Sequence, residues 1–411
     1  MKSEEHKTEK KPFDPKTILT IFLVATAFVG LATGFSDSIF ANYFKEAYDV
    51  NAAQRGFIEI PRELPGVLSL LFLAGLAYFG NLRNAILAQL FSAFGLVVLG
   101  LTRPSYAVML IFLFIFSTGI HMYIPLGDSI GLSLAQKMSM GRVMGQINSM
   151  RMAFIMIAGI LTFIGFRAGW FSFELPVWVF IISAFCFFMV GVLLFVQRQM
   201  SRNLSESPVG RQTKFVFRKE YARYYLICAV FGGRKQIMFV YSPWVLIDLL
   251  DFKADTISIL AVVGSLIGIF FMPVVGRWID GFGIRKVMTA EALAFIAVYI
   301  AYGFLSRWVN NNPVVLTGIG MMLVYILNIV DRMSAQFYMV RSIYMRSIAL
   351  TPEDVTPSLT LGMAIDHVVA IIGSYLCGLV WFEWGPEFVF LIAGALSLIN
   401  LIAAQGIKKN Y

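Results

Sequence analysis

The residues able to do chemistry in this chain are few, and most of them sit where charge is least welcome. Arg234 and Lys235 are adjacent inside one apolar run, Asp331 and Arg332 inside a second, and Asp366 and His367 inside a third. His121 and Asp128 share another run, Asp37 and Arg151 lie singly in two more, and the segment QRGFIEIPRELPG sets Glu59, Arg62 and Glu63 beside Pro61 and Pro65. An ionised side chain at the centre of a bilayer costs about 2.5 to 3.5 kcal/mol on insertion scales, so such groups face a bundle interior or a wet cavity. Two kinds of chemistry are open to them. Arg151, Arg234, Lys235 and Arg332, with Asp331, can hold a polar solute, and the four basic groups lean it toward an anion or zwitterion. Asp366 with His367, and His121 with Asp128 seven residues further along one helix face, set a carboxylate near an imidazole that titrates near neutral pH, a pattern suited to proton coupling. Asp37 is a further candidate for that role. The plain alternative is internal neutralisation, Arg234 or Lys235 pairing with Asp37, Asp331 or Asp366. Adjacent residues project about 100° apart on a helix, so one member of each pair is free to turn away from what the other faces.

Other chemistry has no foothold. The chain contains no GxxxxGK[ST] phosphate loop, no HExxH, no GxSxG and no CxxC, which removes the usual signatures of nucleotide-driven pumps, zinc proteases, serine hydrolases and dithiol enzymes. His6, His121 and His367 are the only histidines, too few and too scattered to suggest a zinc site. Cys186, Cys228 and Cys377 each lie in an apolar run and read as packing residues. No enzymatic activity, cofactor or metal is expected.

The elements that carry the charged residues follow from composition. Of 411 residues, 58% are hydrophobic and 14% charged, against about 25% charged in soluble chains. A mean hydropathy of +0.76 over the whole length excludes a soluble protein with one anchor, and the composition excludes disorder, collagen and coiled coils. Long apolar runs are the helical solution to a solvent that cannot hydrogen-bond the backbone, so the expected fold is an all-α polytopic membrane protein. Twelve runs stand out, at about 17–44, 54–79, 84–102, 105–135, 143–166, 175–197, 222–248, 255–279, 286–305, 313–345, 357–381 and 386–406. The longest polar interruption separates the sixth from the seventh. The predicted organisation is a disordered cytoplasmic tail over 1–16, a six-helix bundle over 17–197, a cytoplasmic linker over 198–221, a second six-helix bundle over 222–406 and a short tail over 407–411.

Charge sets the orientation. Twelve spans put both termini on one side, and of the 33 lysines and arginines 21 fall in the segments on that side and six on the other. Both termini are therefore expected in the cytoplasm. The net charge of +9 is accounted for by this asymmetry, and nucleic acid is not an expected partner. GLAYFGNLRN after the second run and GRWIDGFGIRK after the eighth share a pair of glycines, Gly75 and Gly80 matching Gly276 and Gly281. Their recurrence at one place in each half points to internal duplication, as in transporters built from six-helix halves.

The second of those turns, with Gly276, Asp280, Gly283, Arg285 and Lys286, resembles the GxxxDxxGxRR signature of the major facilitator superfamily. Twelve spans, cytoplasmic termini and a basic central loop extend the resemblance over the whole chain. It implies two pseudo-symmetric bundles in which spans 1, 4, 7 and 10 line a cavity, 2, 5, 8 and 11 flank it, and 3, 6, 9 and 12 face lipid. The charge map follows that division. Asp280, Arg285 and Lys286 would then gate the inner mouth, while Glu59 and Arg62 would form an outer gate or a plain salt bridge. Two features depart from the family pattern: Phe79 stands at the acidic position of the first-half turn, and the fifth span lacks the glycine-proline pattern of drug-proton antiporters. The implied activity is secondary active transport of a small polar metabolite by alternating access, coupled to an ion, the proton being favoured. Efflux of amphipathic cations is the first alternative, and a non-transporting membrane sensor or a membrane-embedded enzyme a more distant one. A monomer in a prokaryotic inner membrane, with the lipid bilayer and the solute as its partners, is the accompanying expectation.

Overall fold

The computed structural model describes residues 15–135, 140–200, 217–311, 319–333, 337–351 and 354–408. Almost all of these are helical, and no strand occurs among them. The helices are α1 (Pro15–Tyr48), α2 (Ala52–Gly75), α3 (Asn81–Leu101), α4 (Tyr106–Ala135), α5 (Met140–Arg167) and α6 (Trp178–Met200). After residue 217 come α7 (Ala222–Gln236), α8 (Ala254–Phe282), α9 (Ile284–Asn311), α10a (Ile319–Met333), α10b (Tyr338–Ile348), α11 (Val355–Trp384) and α12 (Pro386–Gln405). The segments α10a and α10b share a number because they fall on one apolar run. Most of the expected linker and nearly all of the expected first tail lie outside the described residues.

Among the described residues, nine helices are long and apolar enough to cross a membrane. Those not counted are α2, which carries Arg55, Glu59, Arg62 and Glu63, α7 and the two parts of α10. The α7 helix does not stop at Gln236. It runs on through two π-helical turns, Ile237–Tyr241 and Val245–Leu249, on either side of Ser242–Trp244. Pro243 lies between these turns and has no N–H to give to a regular ladder.

The packing repeats itself. In the first six helices α1 lies against α5 and α6, and α3 against α4 and α6; in the last six α7 lies against α11 and α12, and α9 against α10a and α12. Contacts between the two sets are reciprocal as well, α2 against α11 and α5 against α8. The backbone carries the same repeat at the turn before the third helix of each set, where Gly80 (φ 78°, ψ 162°) and Gly283 (φ 82°, ψ 158°) share one left-handed conformation. Only glycine takes up that conformation without strain. The structural equivalent of Gly80 is thus Gly283 rather than Gly281, which lies within α8.

The apolar core shows how the two sets meet. At the end of the bundle near Tyr48 a single cluster draws on both, with Phe40, Tyr43 and Phe44 of α1 and Trp244, Tyr299 and Tyr302 of the second set. At the end near Pro15 each set has its own cluster, one around Phe22, Leu82 and Leu194 and another around Tyr221, Tyr344 and Ala404. The sets are joined at one end and part toward the other. Large apolar side chains such as Phe94, Phe185, Phe304 and Ile402, on α3, α6, α9 and α12, are exposed, as expected of surfaces in contact with lipid.

Candidate functional site

Partway along the bundle, where the sets diverge, charged residues from five helices converge. Lys235 of α7 reaches Glu63 of α2, its Nζ 3.3 Å from Oε2, and also Asp366 of α11 at 3.3 Å from Oδ1. Glu63 Oε2 is shared with His367, whose Nδ1 stands 2.6 Å away. Arg341 of α10b comes within 3.6 Å of the other oxygen of Asp366, and its guanidinium lies 3.6 Å from the ring centroid of Phe231. His121 of α4 packs edge-on against His367, ring centroids 5.4 Å apart. Lys235 therefore ties a carboxylate of the first set to one of the second, and the side chains of Glu63, Lys235 and His367 are each mostly but not wholly shielded. Charges this shielded persist only when paired.

Close approach makes the convergence possible. A Cβ on Gly66 would come within 2.9 Å of both His121 Cδ2 and His367 Cε1, so the missing side chain is what lets the two rings meet over α2. Gly232 lies against the Asp366 backbone at the α7–α11 crossing, and Gly56 against the carbonyl of Ser374. The Tyr241 hydroxyl donates to that same carbonyl.

The adjacent pairs diverge, as helical geometry requires. While Lys235 faces the junction, Arg234 turns into the second set and bonds Glu291 of α9 at 2.7 Å. Asn400 of α12 donates to the other oxygen of Glu291 at 2.8 Å, and the Arg234 guanidinium lies 4.8 Å from the Phe295 ring centroid. Asp331 is fully buried and accepts from the Tyr299 hydroxyl at 3.0 Å. Its neighbour Arg332 bonds Asn328 Oδ1 at 3.2 Å. Two pockets of the second set meet at Arg341: Arg234, Glu291 and Asn400 line one, and Asp366, Tyr224 and Ser342 the other.

The remaining expected residues lie apart from this junction. Arg151 bonds Asn148 of its own helix at 3.2 Å. Asp128 is exposed, and no ion pair joins it to His121 among the described residues. Asp37 is also exposed, 4.0 Å from Arg62. Glu59 is clasped between Arg55 at 2.5 Å and Arg62 at 2.9 Å, with the Arg55 guanidinium 5.5 Å from the Phe44 ring. At the α8–α9 turn Asp280 and Lys286 are exposed and Arg285 half-buried. At the Tyr48 end the two sets are linked by Lys45–Asp248 at 2.7 Å, Arg167–Asp255 at 3.7 Å and Asn42 donating to the Phe252 carbonyl at 2.9 Å.

Three participants escape sequence reasoning as site residues. Glu63 reads there with Glu59 and Arg62 as part of an outer-mouth salt bridge, Glu291 lies near one end of the ninth apolar run, and Arg341 is not singled out. The signal that could find the first of them is depth: Glu63 stands 11 positions into α2, well beyond the reach of a helix end.

The sequence pattern of the Major Facilitator Superfamily matches residues 22–344. Among solved structures, a mutant form of the nucleoside transporter NupG is similar with a TM-score of 0.72 at 15% identity, covering 94% of this chain and 98% of that one. An auto-inhibited POT family peptide transporter gives 0.73 at 11% identity, covering 95% and 97%, and a D-xylose-proton symporter gives 0.64 at 12%, covering 94% and 96%. No curated protein matches the sequence. At such identities the likeness shows the fold alone, and the family match does the rest: this chain is a membrane transporter belonging to the major facilitator superfamily.

Proposed function

We propose that this protein is a secondary active transporter that moves a small anionic or zwitterionic metabolite by alternating access, coupled to protons. The observation that carries the proposal is the position of Lys235, 3.3 Å from a carboxylate of each helix set. A solute carboxylate or phosphate entering the cleft can replace Glu63 or Asp366 on the ammonium, with Arg341 beside it as a second cation. Glu63, so released, is the natural acceptor of a proton, and His367 at 2.6 Å is the natural donor. Substrate arrival and proton movement would then be two sides of one exchange of partners, and the same exchange loosens a link between the two sets.

The surrounding fold favours this reading. With twelve spans and both termini in the cytoplasm, the cleft opens inward, and the links around Lys45, Arg167 and Asn42 close the outer mouth. Arg234 and Asp331, already matched by Glu291 and Tyr299, then support the binding wall rather than touch the solute. Asp280, Arg285 and Lys286, two of them exposed and one half-buried in the open state, would find their partners when the inner mouth closes. The setting is the cytoplasmic membrane of a prokaryote, with the protein acting as a monomer.

Solid-supported-membrane electrophysiology on proteoliposomes tests the proposal, with pools of organic anions, amino acids, sugars and cationic drugs as challenges. A pH-dependent current with anions or amino acids, lost in Glu63→Gln and Asp366→Asn, is the expected result. A current confined to the cationic pool, or one that both variants retain at full size, would overturn it.

A further inference from the structure

One triad at the junction has a second capacity that transport does not require. Glu63, His121 and His367 each present a ligand atom, and the three atoms lie within 4.8 Å of one another. Two imidazoles and a carboxylate are a donor set that suits divalent transition metals, with bonds of about 2.0 to 2.2 Å that set ligand atoms about 3.3 Å apart in tetrahedral geometry. The His367–Glu63 separation is 2.6 Å and none of the three exceeds 4.8 Å, close enough for one ion to be reached by all three.

The hydrogen bonding prepares one of the nitrogens. His121 Nδ1 lies 3.0 Å from the Ser117 carbonyl oxygen and 3.1 Å from its hydroxyl. The carbonyl only accepts, and the Ser117 hydroxyl hydrogen is committed to the Arg62 carbonyl. Nδ1 therefore carries the ring hydrogen, and Nε2 is left with a bare lone pair. Such an outer hydrogen bond fixes the tautomer and orientation of metal-binding histidines. The Nε2 side of that ring lies over Gly66, as does His367. The hydrogen shared between His367 Nδ1 and Glu63 is the one a cation would replace. One positive charge already competes for the place, because Lys235 Nζ lies 3.3 Å from Glu63; it has Asp366 at the same distance to retreat to.

We propose that Glu63, His121 and His367 form a binding site for a divalent transition-metal cation of the zinc or cobalt type, which fastens α2 and α4 to α11 and holds the transporter in the conformation described above. The occupant would act as a brake on the rocking of the two sets, because its ligands come from both. Lys235 is the internal competitor that sets the metal concentration at which the brake engages.

The test uses the purified full-length protein with any affinity tag removed. Zn2+ binding is measured by calorimetry, and Co2+ binding by the visible absorption of the coordinated ion, so neither readout depends on transport or on the proton-coupling proposal. One metal per chain is expected, with affinity falling more than about tenfold in Glu63→Gln, His121→Asn and His367→Asn and rising about tenfold in Lys235→Met. Each variant is read separately, and each must keep the metal-free thermal transition of the wild type, so one misfolded protein leaves the others decisive. Absence of stoichiometric binding would overturn the proposal, as would binding that survives all three ligand substitutions. Metal affinity unmoved by Lys235→Met would remove the competitor from it.

Discussion

The Arg234–Glu291 pair allows a sharp separation of structure from solute binding. Both side chains are almost inaccessible, at 4% and 6% exposure, and their charged atoms are 2.7 Å apart. In Glu291→Leu the guanidinium keeps its place over Phe295 but loses its counter-ion, and Asn400 loses its acceptor. Removing one partner of a buried pair costs about 3 to 5 kcal/mol, because the remaining charge stays desolvated. The aromatic face returns about 1 to 2 kcal/mol at most and was already present. At about 1 to 2 °C per kcal/mol for a chain of this length, the midpoint of thermal unfolding in detergent should fall by about 3 to 10 °C. The double variant Arg234→Met with Glu291→Leu removes both charges and keeps the volume, and should recover to within about 1 kcal/mol of wild type. Tryptophan fluorescence follows unfolding, and the proteoliposome current follows function. A double variant as unstable as the single one would refute the argument, since the cost would then lie in packing rather than in stranded charge. A stable and active double variant confines Arg234 to a structural role, while a stable but inactive one makes it part of the solute site.

Two further outcomes follow from the geometry. The Lys45–Asp248 link is 2.7 Å long but partly exposed, at 30% and 19%, so Asp248→Ala should cost the joined end near Tyr48 up to about 1 kcal/mol, a shift of up to about fivefold in population. Labelling of a Val50→Cys probe by a polar maleimide should speed up by that factor, and an unchanged rate would mean that the shared apolar core alone keeps this end closed. At the opposite end, the Tyr221 hydroxyl bonds Asp354 at 2.6 Å with Arg218 at 3.1 Å, and that hydrogen bond holds the Asp354 carboxyl below its usual range. A depressed folded-state pKa contributes stability above the unfolded value of about 3.9, and the contribution is lost as pH falls through the folded value. Tyr221→Phe should therefore be less stable than wild type at neutral pH, and the difference should shrink below about pH 3.9. A gap that stays constant down to that acidity would show that the hydroxyl acts only through packing.

Much of this arrangement is legible in the residues themselves. Buried charge is costly enough to be rare, so Lys235, Asp366 and His367 stand out against apolar surroundings, and all three meet at the junction. The 100° between helical neighbours also anticipates that Arg234 and Lys235 part. What the chain does not spell out is the partner. Arg234 meets Glu291 because α7 and α9 both pack against α12, a long-range fact that hydropathy does not encode. Glu63 is easily misjudged because two prolines and three charges make its run look like a helix end, whereas α2 continues unbroken to Gly75. Arg341 is inconspicuous because it stands close to the end of its apolar run, with a second arginine, Arg346, just beyond. The closeness of His121 and His367 is hidden for a similar reason: they are remote in sequence and are brought together by the absence of a side chain at Gly66.

The two π-helical turns have a mechanical meaning. They lie on one continuous rod that carries Lys235 ahead of the first turn and Asp248 within the second. A π turn stores one residue more than the α turn it replaces, so relaxing one would rotate everything beyond it by about 100° with almost no change in length. The rod therefore carries its slack as winding rather than as length. Trp244, Val245 and Leu246 are buried in the core that both sets share, so any such rotation would have to repack the end at which the sets are joined. The Tyr241 hydroxyl, at the end of the first widened turn, is bonded to the Ser374 carbonyl, so unwinding that turn would also have to release α11.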